Sequence, residues 1–208
     1  MGSNFLNFTK MQISALSQIV WLQLLCIALY PMFFNRININ NDLANVLIYA
    51  AGLLMLSYLI LRNFMFNDAK YKTKLLFSIL PVSPTAIIGA RGIIIYLCCL
   101  IATPLLVLFS GITHAIKPEM FAIVQIHILP YGFLLVATFM PIEFLIFYMF
   151  ETQKADIIGA LAIFPYMGLM ALFYNYLINS TLWIVVFIIA VFINVFCYRL
   201  STRLYKNR

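Results

Sequence analysis

Glu143 is the only carboxylate inside an apolar run long enough to cross a bilayer. A charge in hydrocarbon is costly unless it faces a bundle interior, water or a partner, so a carboxylate there is a candidate for function. It sits roughly 12 Å of helix rise from the end of its run and closely follows Pro141. Two roles fit: binding a proton or cargo, or capping backbone freed by Pro141. A proton-coupled carrier calls for further buried ionisable groups, and the apolar runs hold no second carboxylate. His114, His127 and Glu119 share the region of one short loop, but their spacing matches no metal-ligand motif. Cys26, Cys98, Cys99 and Cys197 all fall in apolar runs without CxxC spacing, as small buried hydrophobes do. Gln18, Gln23, Asn175 and Asn194 could line a polar path, or hydrogen-bond between helices, the commoner use. The sequence contains no GxxxxGK[ST] loop to cradle nucleotide phosphates and no GxSxG, HExxH or paired Glu-Glu of hydrolases and proteases. Neither a catalytic nor a metal site is expected.

The elements that carry these residues are membrane spans. Of 208 residues, 65% are hydrophobic and only 9% charged, and the mean hydropathy is +1.04. That surface-poor composition excludes a water-soluble fold. A helix needs about 20 apolar residues to cross the hydrocarbon core, and six stretches qualify: 16–34, 43–61, 92–112, 126–150, 157–178 and 182–198. Unbroken runs such as the one beginning at Gly92 reject the polar–apolar alternation of a β-barrel. Lys10 precedes the first run as in a signal peptide, but the run is too long and lacks a small-residue cleavage site, so it is expected to remain a span.

With six spans, eleven Lys and Arg fall on one side and only Arg36 and Lys117 on the other. The basic side is therefore cytoplasmic. The net charge of +7 belongs to topology and anionic lipid, and no nucleic-acid partner is expected. The expectation is an all-α polytopic membrane protein: one transmembrane domain over 1–208, six helices, both termini cytoplasmic and only short external loops. Five prolines, Pro31, Pro104, Pro130, Pro141 and Pro165, interrupt the spans, and Ala155 with Gly159 forms a small-xxx-small pair suited to close helix approach.

The longest non-spanning stretch, 62–91, has helical patterning. Asn67 is a candidate N-cap, and Asp68 precedes Lys72 in the favourable i,i+4 order. Tyr71, Leu75, Leu76 and Ile79 share a face, while Lys70, Lys72 and Lys74 are polar. Pro81 ends this helix, and Ser83 as N-cap with Pro84 at N1 starts the next, which leads into the third span. Such an amphipathic helix either rests on the inner leaflet through its lysines or receives force from a soluble motor.

The string Asp68-Ala69-Lys70, then Ser78-Ile79-Leu80-Pro81-Val82-Ser83, then Ile87-Ile88 and Arg91 resembles the first cytoplasmic loop of small ABC-2 type transporter permeases. Arg91 lies ten positions after Pro81, where that pattern has a basic residue. The sequence departs at Ile79, Pro84 and Gly92, where Leu, Arg and an aromatic are usual. A second echo is Pro141 followed by Phe147-Tyr148-Met149-Phe150-Glu151 and Lys154. Size, short outer loops and richness in Asn, Ile and Phe are most similar to permeases of the phenol-soluble modulin exporter or bacteriocin-resistance type.

The resemblance implies the membrane subunit of an ATP-driven exporter of amphipathic peptides or hydrophobic toxic compounds. It would work as a homodimer or with a related permease, bound to a separate cytoplasmic ABC ATPase that holds the ATP and Mg²⁺. The coupling segment would then comprise Asp68, Lys70, Lys72, Lys74, Pro81, Ser83 and Arg91, with Glu143 and Pro141 as intramembrane candidates. The alternatives are a vitamin-capturing membrane subunit of an energy-coupling-factor transporter and a non-transporting immunity protein. The first would dock through a small-residue face on its first helix, which Trp21, Leu22, Leu24 and Leu25 do not offer.

Overall fold

The computed structural model describes residues 42–71, 83–116, 126, 129–150, 152–179 and 182–207. These form five helices: α1 (Asp42–Tyr71), α2 (Pro84–Ile116), α3 (Leu129–Met149), α4 (Thr152–Asn179) and α5 (Leu182–Asn207). Helices are the expected solution, because a chain this apolar must satisfy its own backbone groups when no water is at hand. Four of them contain segments long and apolar enough to cross a membrane: Tyr49–Ala69, Pro84–Ile116, Leu129–Met149 and Ile184–Lys206. They coincide with the second, third, fourth and sixth expected spans. The fifth, 157–178, falls within α4, which does not stand among those four, and the first, 16–34, lies outside the described residues.

α1 and α3 form the centre of the bundle. α3 packs on α1, α4 and α5, and α2 packs on α1 and α5. Leu53, Leu56, Ile60 and Leu61 of α1 are fully buried against Val136, Phe139 and Phe147 of α3 and Ile95 and Cys99 of α2. Two close approaches need small residues. The Tyr49 ring lies directly against Gly132 of α3, and Gly159 of α4 meets the rings of Tyr58 and Phe147, a Cβ there standing 3.3 and 3.6 Å away. With Ala155 also fully buried, the small-xxx-small pair does bring helices together. Cys98, Cys99 and Cys197 are buried free thiols. Phe187, Phe192 and Phe196 of α5 and Leu97, Leu100 and Leu108 of α2 point outward. So broad an apolar surface suits hydrocarbon rather than water.

The α2 start forms as its sequence indicates. Ser83 Oγ accepts from Ala86 N at 3.3 Å, its carbonyl accepts from Ala86 N and Ile87 N, and Pro84 opens the helix. With 33 residues, at about 1.5 Å each, α2 exceeds the bilayer core, so its first turns lead into the span without a break. The expected start at Asn67 does not occur: α1 runs continuously through Asn67 to Tyr71. A side-chain cap starts a helix only where the backbone is not already helical, and extending an existing helix adds a hydrogen bond for each residue fixed. The rest of the expected amphipathic helix, 72–82, lies outside the described residues.

Candidate functional site

Among the described residues, most ionisable groups gather at one end of the bundle: the end of α1, the start of α2, the end of α3, the start of α4 and the end of α5. Its hub is Arg91, only 1% exposed. A guanidinium keeps its charge in proteins, so burying it demands partners. Arg91 Nη2 pairs with Asp68 Oδ1 at 2.7 Å, Nη1 donates to the Tyr148 hydroxyl at 3.1 Å, and the guanidinium carbon lies 5.2 Å from the Phe64 ring centroid. Tyr148 meets Tyr205 of α5 edge to face at 5.8 Å. One side chain thus ties α1, α2 and α3 together, with α5 seated behind Tyr148. Arg91 Nε and the Tyr205 hydroxyl are buried with no hydrogen-bond partner among the described residues.

Asp68 pairs across helices with Arg91; the expected local pair with Lys72 falls on a residue outside the described ones. Arg91, expected within the coupling segment, is buried. Lys72, Lys74 and Pro81 lie outside the described residues, and Lys70 is described only as part of the α1 backbone. Ser83 is exposed at the start of α2.

Glu143 is fully buried. Its Oε2 accepts from Ser57 Oγ of α1 at 3.2 Å, while Oε1 has no partner among the described residues. The carboxyl therefore bridges α1 and α3 through one of its two oxygens. Nearby, Asp156 of α4 accepts from the Tyr58 hydroxyl at 2.5 Å and pairs with Arg62 Nε at 2.9 Å. Arg62 is half exposed, so this pair contributes little to stability. No group of three or more His, Cys, Asp or Glu able to hold a metal occurs among the described residues. Of the imagined external metal site, Glu119 and His127 lie outside them.

Beside the hub a cleft of about 490 Å³ opens between α2, α3 and α5. Pro141 lines it, as do Gly92, Phe144 and Asn194. Asn194 takes the commoner of its two expected roles: it accepts from the Tyr96 hydroxyl at 2.7 Å and donates to the Ala137 carbonyl at 2.7 Å, joining three helices. Replacing it with Leu should lower stability in detergent by about 1 kcal/mol, the scale of interhelical hydrogen bonds within membranes, as read from the unfolding midpoint.

Sequence reasoning missed Asp156, Tyr58 and Tyr205 and gave Tyr148 no role. A Tyr in an aromatic-rich membrane chain carries no sign of its partner. The single usable signal was that an Arg at the head of a long apolar run must find a carboxylate or leave the membrane.

Among the described residues, a buried ion pair joins the two helices that flank residues 72–82, and Tyr148 and Tyr205 connect it to α3 and α5. No curated protein and no solved structure matches the chain significantly. Residues 12–206 match the family described as ABC-2 family transporter protein. Spanning nearly the whole sequence, that match agrees with the apolar helices and the loop pattern, and the chain belongs to the ABC-2 transporter family of membrane permeases.

Proposed function

We propose that this chain is the transmembrane permease subunit of an ATP-driven exporter, with six spans, both termini cytoplasmic, and the Arg91 end of the bundle facing the cytoplasm. The observation that carries the reading is the Asp68–Arg91 pair at 2.7 Å, which fastens the two helices on either side of residues 72–82. A partner ATPase pressing on that segment moves both helices as one body. Tyr148 and Tyr205 pass the displacement to α3 and α5. Lys70, Lys72, Lys74 and Pro81 supply the outer contact surface, and Asp68 and Arg91 act behind it as positioning residues. ATP and Mg²⁺ belong to the ATPase.

Two such subunits, identical or related, form the pathway between them. Their cargo is an amphipathic peptide or hydrophobic toxic compound, moved outward as the interface changes access. The outward-facing apolar residues of α2 and α5 support this arrangement, since part of that surface can meet a second subunit and the rest lipid. Glu143, with one carboxylate oxygen unpartnered among the described residues, lies between α1 and α3 and responds to any shear between them.

Co-expression with candidate ABC ATPases, purification in detergent and an ATPase assay test the assignment. The expected result is stable recovery of one ATPase, with hydrolysis altered by the permease. An energy-coupling-factor subunit would instead recruit a transmembrane coupling protein and retain a small ligand. An immunity protein would recruit no ATPase, and that result would sink the exporter reading.

A further inference from the structure

We infer that the cleft between α2, α3 and α5 is a binding site for one acyl chain of an anionic phospholipid, with the headgroup held at Arg199. At about 490 Å³, the cleft lies within the range of roughly 300–1,000 Å³ typical of small-ligand sites. Its walls are mainly apolar: Ile88 and Ile93 of α2, Met140 and Phe144 of α3, and Val195 of α5 among them. Polar groups are few and one-sided. Asn194 is committed to Tyr96 and Ala137. Ser201 lines the cleft, and its fully buried hydroxyl has no partner among the described residues. Arg199 also lines it and is exposed, so it stands at the mouth.

The charge of that mouth identifies the occupant. Arg199, Arg203 and Lys206 are all exposed on α5, and their i, i+4, i+7 spacing places them on one helix face. Among the described residues the cleft lining includes no carboxylate. An apolar slot inside the bilayer region that ends at a stripe of three cations fits a lipid with a hydrocarbon tail and a negative headgroup. Basic residues at the membrane surface attract such lipids. A neutral lipid would fill the slot and leave the stripe without a counter-charge.

Gly92 supplies the means of closing the site. It lines the cleft, and a Cβ built on it meets nothing within 4 Å. A larger side chain there therefore enters the cleft without striking the fold. Gly111, on the same helix and outside the lining, is equally open and serves as the control. The inference does not rest on the exporter assignment, since it requires no ATPase.

Purified wild-type protein in detergent should be titrated with phosphatidylglycerol and with phosphatidylcholine of identical acyl chains, and bound lipid counted by native mass spectrometry. The expected result is one tightly retained phosphatidylglycerol and weaker phosphatidylcholine. Gly92→Phe should weaken retention about tenfold or more, as overfilling a packed slot does. Arg199→Gln should weaken phosphatidylglycerol by about fivefold while leaving phosphatidylcholine unchanged. Gly111→Phe should bind as wild type. Equal retention by wild type and Gly92→Phe would overturn the site, and equal affinity for the two headgroups in wild type would overturn the anionic assignment. Unfolding midpoints of both Phe variants near the wild-type value confirm that binding, and not folding, is being read.

Discussion

Asp68→Ala should lower the stability of the detergent-solubilised protein by about 3 kcal/mol or more, because it strands a charged guanidinium inside the bundle. Arg91 is 1% exposed and cannot shed its proton to escape the cost. The Tyr148 hydroxyl and the Phe64 ring remain, but neither carries an opposing charge. Arg91→Met should be milder, since the Asp68 side chain is 21% exposed and keeps access to water. Combining Asp68→Leu with Arg91→Met should recover most of the loss, because replacing a buried ion pair with packed hydrophobes is often neutral. Unfolding midpoints of Asp68→Leu, Arg91→Met and the double variant, compared as a cycle, provide the check. Independent additive losses would mean that the pair carries no coupling energy and that the joint is not real.

Gly132→Val should be the most damaging single substitution in the apolar core. A Cβ at this position collides with the Tyr49 ring, and Tyr49 is buried with its hydroxyl 2.7 Å from Thr103 Oγ1 of α2. Accommodating Val forces α3 away from α1 or expels Tyr49, costing about 1–3 kcal/mol for the overpacking alone and the Thr103 hydrogen bond besides. In a Tyr49→Ala background the same substitution should be nearly free, so the two changes should be strongly non-additive. A full penalty in that background would mean that the α1–α3 contact is not made through Tyr49.

Much of this arrangement is legible in the residues. Runs of apolar residues in a chain with 9% charged residues leave helices as the economical solution, and four of the expected spans reappear as apolar helices. Ser83-Pro84 marks a helix start by local chemistry alone, and that start forms. Gly159 and Asn194 also act as their types suggest, one admitting a neighbouring ring and the other bridging helices. What failed was whatever depended on which helix lies beside which. Arg91, twenty-three residues from Asp68 along the chain, is its partner across helices, a pairing that local spacing does not reveal. Asn67 carries the side chain of an N-cap, yet the preceding helix propagates through it. Glu143 was recognisable as a buried carboxylate because it was alone in its run; its partner Ser57 was not, since a Ser within a span is equally able to bond its own backbone, as it also does to Leu54 O at 2.8 Å. The cleft had no sequence signal, because its lining is assembled from three helices.

The central claim is that the clamp between Asp68 and Arg91 transmits force from a partner ATPase to the spans. It is tested most directly by the ratio of cargo exported to ATP hydrolysed in proteoliposomes containing the permease and its ATPase. The variant to use is the doubly substituted Asp68→Leu, Arg91→Met protein, which should recover most of the stability that the single Asp68 variant loses. The account predicts that this protein still binds the ATPase and permits hydrolysis, while export per ATP falls by about tenfold or more, as expected when a coupling of about 1.4 kcal/mol or more is lost. Export per ATP equal to that of the wild type would contradict it.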